Sequence, residues 1–350
     1  MSWNTFMGSK SLLLAPLHAV QLATGTSSFK DNAIIGSPAL NRHGLHVKRI
    51  NLADRIARSR RRRLTRWLSK KHRDAYEDNG FVLIENVLPD EVFRALSEEV
   101  EASVFEAREM KQGDTVTRFI TLSPAVLRRT PQLETFVNGD LFQGLMRYVG
   151  AGNIDPLVTL HTVLTTLGKG RPDPQQTFHS DTFHSTAKSW FFLRDVAVED
   201  GPFSYVPGSH RLTKARLEWE YEQSLTAASS PIHPRSRGSF RASEDELAAM
   251  GHPTFVSFPV PANSLVVADT HGFHARRPST RPSTRLAVYG SLRVGPFMPF
   301  AGPDIFDLPG LKNRKAQMLD WMRWAEAKVL RKKESQPIVG WLRPGDPAVR

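Results

Sequence analysis

The 350-residue chain has no cysteine. Disulfides and thiolate metal sites are therefore excluded, and any bound metal must be held by His, Asp or Glu. It also lacks any run of about 18 apolar residues, the length a membrane-spanning helix needs. Residues 11–23 are mildly apolar after Lys10, but Pro16 and His18 interrupt them and the basic flank is thin. A loosely packed N-terminus is expected there, not a secretory signal, and a cytoplasmic location follows as the expectation. Acidic residues are scarce relative to basic ones, 35 against 47, for a net charge of +12. That excess is local. Between Arg42 and Arg73 stand 13 Lys and Arg against the single Asp54, so the rest of the chain is balanced. An apolar content of 40% excludes global disorder, and the length suffices for one large domain or two small ones.

The basic stretch has a helical pattern. Leu52, Ile56, Leu64, Trp67 and Leu68 form a broken apolar stripe within Lys48–Arg73, and Arg60, Arg61, Arg62 and Arg63 stand in a row. Such a run suits an anionic partner, nucleic acid or a membrane surface, or else a solvated face near acids such as Glu98, Glu99 and Glu101. No aromatic interleaving or recognised nucleic-acid module accompanies it, so the solvated face is preferred and a nucleic-acid partner is not expected.

Further along, Phe81–Ile84 reads as a short strand, and Pro89-Asp90-Glu91 opens a helix carrying Val92, Phe93, Leu96, Val100 and Val104. A short helix is expected over 141–149 and a strand over 156–167. His161, in that strand, reads as a satisfied core residue and is left out of the site. A turn at 171–174 precedes short strands near 189–193, 203–206, 254–258, 264–268 and 285–294. Helices near 212–227 and after the capping box Ser243–Glu246 interrupt the series. Short strands separated by turns predict a barrel or sandwich rather than a parallel sheet.

The chemistry concentrates at Phe178-His179-Ser180-Asp181. A His and an Asp two residues apart on an extended segment point the same way. Two groups cannot fill a metal's coordination sphere, and Asp269-Thr270-His271-Gly272-Phe273-His274 offers a third ligand, either His271 or His274. Two imidazoles and one carboxylate on one face, with open positions opposite, is the arrangement of non-haem Fe(II) oxygenases.

His179-x-Asp181, Trp190 opening a strand, Gly201, Pro207-Gly208-Ser209-His210, His274 and Arg285 occur in the order and spacing of a known family. Over roughly residues 75–295 the chain resembles the phytanoyl-CoA dioxygenase family of Fe(II)/2-oxoglutarate oxygenases, in a bacterial subgroup of unassigned substrate. The resemblance implies a mainly β fold with flanking helices around a double-stranded β-helix, a jelly-roll or cupin-like core. It implies domains at 1–74 (basic helical arm), 75–295 (oxygenase, with a helical insert at about 212–251) and 296–350 (helix and tail on the core). Fe(II) and 2-oxoglutarate are the implied cofactors, with O2 and a small-molecule substrate as partners. His179, Asp181 and His274 are the implied metal ligands. The eleven-residue step from His274 to Arg285 prefers His274 to His271, which is then a nearby polar residue facing the mouth. Arg285 is implied to grip the distal carboxylate of 2-oxoglutarate, and Trp190 to line its pocket or simply pack. His184 is a candidate to face substrate, and His210 reads as structural.

The implied activity is hydroxylation with release of succinate and CO2. Asp181 occupies the position that halogenases leave to a small residue, which disfavours halogenation. Arg276, Arg277 and Arg281, with Arg235, Arg237 and Arg241 in the insert, suit an anionic substrate if they line the mouth. A helix over 311–333 with Trp321 and Trp324 beside its apolar face is expected to pack on the barrel or in a homodimer. The competing reading is a protein that binds anions, nucleic acid or a membrane through its arm, around a non-catalytic cupin-like metal barrel.

Overall fold

The computed structural model describes residues 15–166, 173–300, 302, 304–329 and 334–350. The residues expected at 1–14, the first half of the turn at 171–174 and the last turn of the 311–333 helix lie outside them.

Eleven strands form two antiparallel sheets among the described residues. They are β1 (Phe81–Ile84), β2 (Phe105–Gln112), β3 (Thr115–Thr121), β4 (Leu157–Thr165), β5 (Ala187–Phe192), β6 (Phe203–Tyr205), β7 (Val256–Ser257), β8 (Ser264–Asp269), β9 (His274–Arg276), β10 (Ser283–Leu292) and β11 (Ile338–Leu342). The large sheet runs β1-β8-β5-β10-β4-β3-β2-β11, and the small one β7-β6-β9. An isolated bridge pairs His179 with His274, and another pairs His179 with Arg241, so the segment around 179 widens the small sheet beyond β9.

The period-two pattern of the central strands decides which side faces what. Ala187, Phe191, Leu265, Val267, Leu286 and Val288 lie on the outer face of the large sheet. They pack there against Phe142, Leu145 and Met146 of the helix Asp140–Val149 and against Leu96 and Val100 of the helix Asp90–Ala102. Residues of the other parity, Phe192, Val266, Ala268 and Ala287, turn inward onto Phe203, Tyr205 and Phe258 of the opposing wall. The result is the jelly-roll core with flanking helices that the family resemblance implied.

The basic stretch departs from the expected single helix. It is a helix over Leu45–Leu64, a short 3-10 turn to Trp67, and a second helix over Lys70–Asn79 capped by the Ser69 side chain. Leu68 is extended between them. The four-arginine run is not a solvated face throughout. At about 100° per residue, consecutive side chains wrap round the helix. Arg60 and Arg61 are buried, while Arg62 and Arg63 face solvent. The acids expected nearby serve elsewhere: Glu99 accepts from the backbone N–H of Gln132 and Leu133, and Glu101 pairs with Arg194 at 2.7 Å.

The hairpin β2–β3 was not anticipated, and the tail contributes β11, which pairs with β2. The C-terminal helix spans Lys315–Val329 and buries only Ala316, leaving Trp321 and Trp324 exposed. No helix among the described residues is long and apolar enough to cross a membrane.

Candidate metal centre

His179 and His274 lie side by side across the small sheet, each donating its backbone N–H to the other's carbonyl at 3.0 Å. Each ring also donates Nδ1–H to a backbone carbonyl two residues back. His179 reaches Thr177 at 2.8 Å, and His274 reaches Gly272 at 3.0 Å. A carbonyl only accepts, so each Nδ1 carries the proton and each Nε2 keeps a lone pair. Both Nε2 atoms are buried and without a hydrogen-bond partner. Asp181 Oδ1 stands 3.8 Å from one and 3.6 Å from the other. The three donor atoms lie within 4.8 Å of one another. Two buried lone pairs converging on a carboxylate oxygen fit a cation, since nothing else present satisfies them.

The electrostatics agree. Burial and the neighbouring His274 push His179 down to about 3, so it stays neutral and able to ligate. Burial alone would raise the Asp181 carboxyl, but Lys188 outweighs it and holds the group well below the usual range. Lys188 Nζ sits 2.6 Å from Asp181 Oδ2, which leaves Oδ1 turned toward the imidazoles. Lys188 lies beside Trp190 on the inward parity of β5, and sequence reasoning did not single it out.

A cavity of ≈ 230 Å³ opens off His179 and His274 and extends to Arg285, walled by Lys188, Trp190, Phe203 and Tyr289. Arg285 Nη1 donates to the carbonyl of Gly201, while Nε and Nη2 are buried with no partner. The nearest acids are committed: Asp200 to Arg281 at 2.7 Å and Asp173 to Arg276 at 2.8 Å. Burial therefore pushes the Arg285 guanidinium down to about 9. Gly201 makes this end of the cavity possible. Its φ is +69°, and a Cβ there would meet the Arg277 carbonyl at 2.4 Å. Trp190 packs on Phe203 with ring centroids 4.3 Å apart.

The other sequence candidates are dispersed. His161 is not a closed-off core residue; it lines the cavity, stacked on Tyr289 at 4.0 Å. Its β4 position opposite Ala287 of β10 puts it on the inward face. His271 does not face the mouth. It is buried, with its ring against the Thr182 carbonyl at 3.0 Å and its N–H on Asp269. His210 packs against Tyr76, while His184 has a buried, unpartnered Nε2. Arg235 bonds Thr226, and Arg237 pairs with Asp31.

One buried carboxylate braces the loop that delivers His274. Asp269 accepts from Arg61 Nη2 and from the Tyr76 hydroxyl through Oδ2, both at 3.0 Å. Its Oδ1 takes the backbone N–H of Thr186 and His271, both at 3.1 Å. Arg61 further donates to the carbonyls of Tyr148 and Val149 and to Ser185. The basic arm is thus tied into the foundation of the site.

Buried neutral histidines make acid stability predictable. Burial pushes His184 and His210 down to about 3. Unfolded, each takes up a proton near pH 6.5. Below that pH the unfolded chain binds more protons, so stability is full above about 6.5 and falls toward 3. At pH 5 each residue is expected to cost on the order of 1–2 kcal/mol. Denaturant midpoints at pH 7.5 and 5 test this, and His210→Asn should show a smaller drop than the wild type.

A jelly roll with a His-Asp-His cluster opening on an arginine-ended cavity is the oxygenase-type fold of Fe(II)/2-oxoglutarate enzymes. The sequence matches the phytanoyl-CoA dioxygenase family (PhyH) over residues 76–285, and the chain belongs to that family. No curated protein matches it. Similar solved structures include the epimerase SnoN in complex with Fe3+, alpha-ketoglutarate and nogalamycin RO, at 18% identity and a TM-score of 0.43, covering 69% of this chain and 90% of SnoN. HygX from Streptomyces hygroscopicus with nickel and 2-oxoglutarate bound aligns at 16% identity and a TM-score of 0.43, covering 70% of this chain and 94% of HygX. The carbocyclase SnoK from nogalamycin biosynthesis aligns at 23% identity and a TM-score of 0.37, covering 65% of this chain and 88% of SnoK.

Proposed function

We propose that the protein is an Fe(II)/2-oxoglutarate-dependent dioxygenase that hydroxylates a small organic molecule, releasing succinate and CO2. The observation that carries this reading is the pair of buried, unpartnered Nε2 atoms beside Asp181, at one end of a cavity whose other end is an arginine with no acid. His179, His274 and Asp181 Oδ1 would hold the metal on one face, and Arg285 Nε and Nη2 would take the distal carboxylate of 2-oxoglutarate. Bound Fe(II) with 2-oxoglutarate supplies O2 activation coupled to decarboxylation. Lys188 keeps Asp181 ionised and fixes its rotamer. Trp190 and Phe203 give the cavity an apolar wall that excludes water. Asp181 fills the position a halide would need, which favours hydroxylation over halogenation.

Asp181→Ala is expected to weaken Fe(II) binding by more than the roughly 10–100-fold that loss of an outer hydrogen-bonding partner costs. Equilibrium dialysis under anaerobic conditions checks it. The reaction type is tested with isotopically labelled O2. A product that gains one labelled oxygen supports hydroxylation, whereas a rearranged or epimerised product without label would sink it.

A further inference from the structure

β10 presents arginines from its inward face at both ends. Arg285, Ala287 and Tyr289 line the cavity, and the same period-two alternation continues through Ser291 to Arg293, just past the strand. Lys188, which holds Asp181, is the register partner of Ser291. Arg293 therefore lies on the far side of the His179, Asp181 and His274 cluster from Arg285. Its Nη2 donates to Thr182 Oγ1 at 3.2 Å, next to Asp181, and to the Gly25 carbonyl at 3.3 Å.

A second guanidinium borders the same side. Arg241 stands directly opposite His179 in an antiparallel bridge. Directly opposed residues project from the same face, so Arg241 flanks His179 on the edge away from His274. It donates to the Ser239 carbonyl at 3.0 Å. His184 borders the same opening, its Nε2 3.6 Å from where a Cβ on Gly25 would stand, but its Nδ1–H donates to the Ser185 carbonyl, so Nε2 keeps a lone pair and offers an anion no hydrogen bond.

Neither Arg241 nor Arg293 has a carboxylate within ion-pair distance among the described residues, in contrast to Arg276 and Arg281 with Asp173 and Asp200. Asp181 offers them no free oxygen, because Lys188 engages Oδ2 and Oδ1 faces the imidazoles. Its side chain is 24% exposed. Arg241 is half-buried and Arg293 exposed, and two cations with no carboxylate bonded to either, bordering one opening, favour an anion there.

We propose that Arg241 and Arg293 seat an anionic group of the substrate, a carboxylate or a phosphate, across the metal centre from Arg285. This rests on the Fe(II)/2-oxoglutarate reading above. The test uses the full-length protein with Mn(II) and saturating 2-oxoglutarate, and two probe anions, inorganic phosphate and acetate. The probe nuclei are observed by magnetic resonance, because bound Mn(II) relaxes any anion held near it. Saturable relaxation is expected in the wild type, with apparent affinity about tenfold weaker or worse in Arg241→Gln/Arg293→Gln. Arg241→Lys/Arg293→Lys should retain part of it, and Arg62→Gln on the exposed arm should leave it unchanged. Tighter phosphate than acetate, or the reverse, identifies which anion the seat prefers. Relaxation that is absent in the wild type, or equal in the Gln double variant, overturns the proposal while leaving the enzyme reading intact, provided the Fe(II) 2-oxoglutarate chelate forms. Failure of that chelate to form defeats both.

Discussion

Arg285→Ala is expected to weaken 2-oxoglutarate binding by about 100-fold or more while leaving Fe(II) binding nearly unchanged. The wild-type guanidinium is buried, its Nε and Nη2 are unpartnered, and among the described residues the acids near it, Asp200 and Asp173, are held by Arg281 and Arg276. Desolvating that charge has already been met in folding, so an arriving carboxylate gains two charge-assisted hydrogen bonds at little further cost. Truncating one member of a buried charge pair typically costs about 2–5 kcal/mol, which sets the size of the effect. Arg285→Lys should recover only part of it, since an ammonium cannot present the planar fork. Calorimetric titration of 2-oxoglutarate into the metal-loaded protein reads both variants. Equal affinity in wild type and Arg285→Ala would mean that the cosubstrate sits elsewhere.

Arg61→Ala is expected to destabilise the fold by about 3–5 kcal/mol, the usual cost of orphaning a buried charge. Among the described residues Arg61 is the cation bonded to Asp269, and Asp269 gathers Tyr76, Thr186 and His271 around the start of the loop leading to His274. Asp269→Asn should be destabilising for the complementary reason, leaving Arg61 without a counter-charge. Because both changes remove the same interaction, the double variant should cost less than the sum of the two. Urea unfolding with an unchanged m-value measures all three. A loss below about 0.5 kcal/mol for Arg61→Ala, the range of an ordinary surface substitution, would show that the arm merely lies against the core.

These two arginines illustrate what the sequence could and could not convey. Arg285 became a candidate through the family resemblance, whose eleven-residue step from His274 picks it out at the start of an apolar strand. Arg61 was not legible, because a run of four arginines does not state which of them turn inward. That depends on the Asp269 waiting in β8. That His179 and Asp181 project to the same side was readable from period-two spacing, but their candidacy as ligands rested on the downstream matches of the family resemblance. The choice between His271 and His274 was not readable from strand continuation, because β8 ends at Asp269 and a turn through Gly272 reorients the chain before β9. Lys188 carried no motif; only the β5 pairing brings it to Asp181. The hairpin β2–β3 escaped notice because its outer-face positions, alongside Phe105, Ala107 and Ile120, include Glu109 and Arg118. They form a fully buried ion pair at 2.7 Å and break the apolar alternation that marks a strand. His161 misled in the opposite direction, since an apolar strand around a histidine does not reveal that the histidine faces a cavity.

The central claim is that His179, Asp181 and His274 bind a metal on which 2-oxoglutarate, held by Arg285, can chelate. Anaerobic titration of Fe(II) and then 2-oxoglutarate, followed by visible absorption, tests it most directly. The account predicts a charge-transfer band at one equivalent of each, absent in Asp181→Ala and requiring far more 2-oxoglutarate in Arg285→Ala. Stoichiometric iron binding with no band at saturating 2-oxoglutarate would contradict it and leave a metal-binding barrel without oxygenase chemistry.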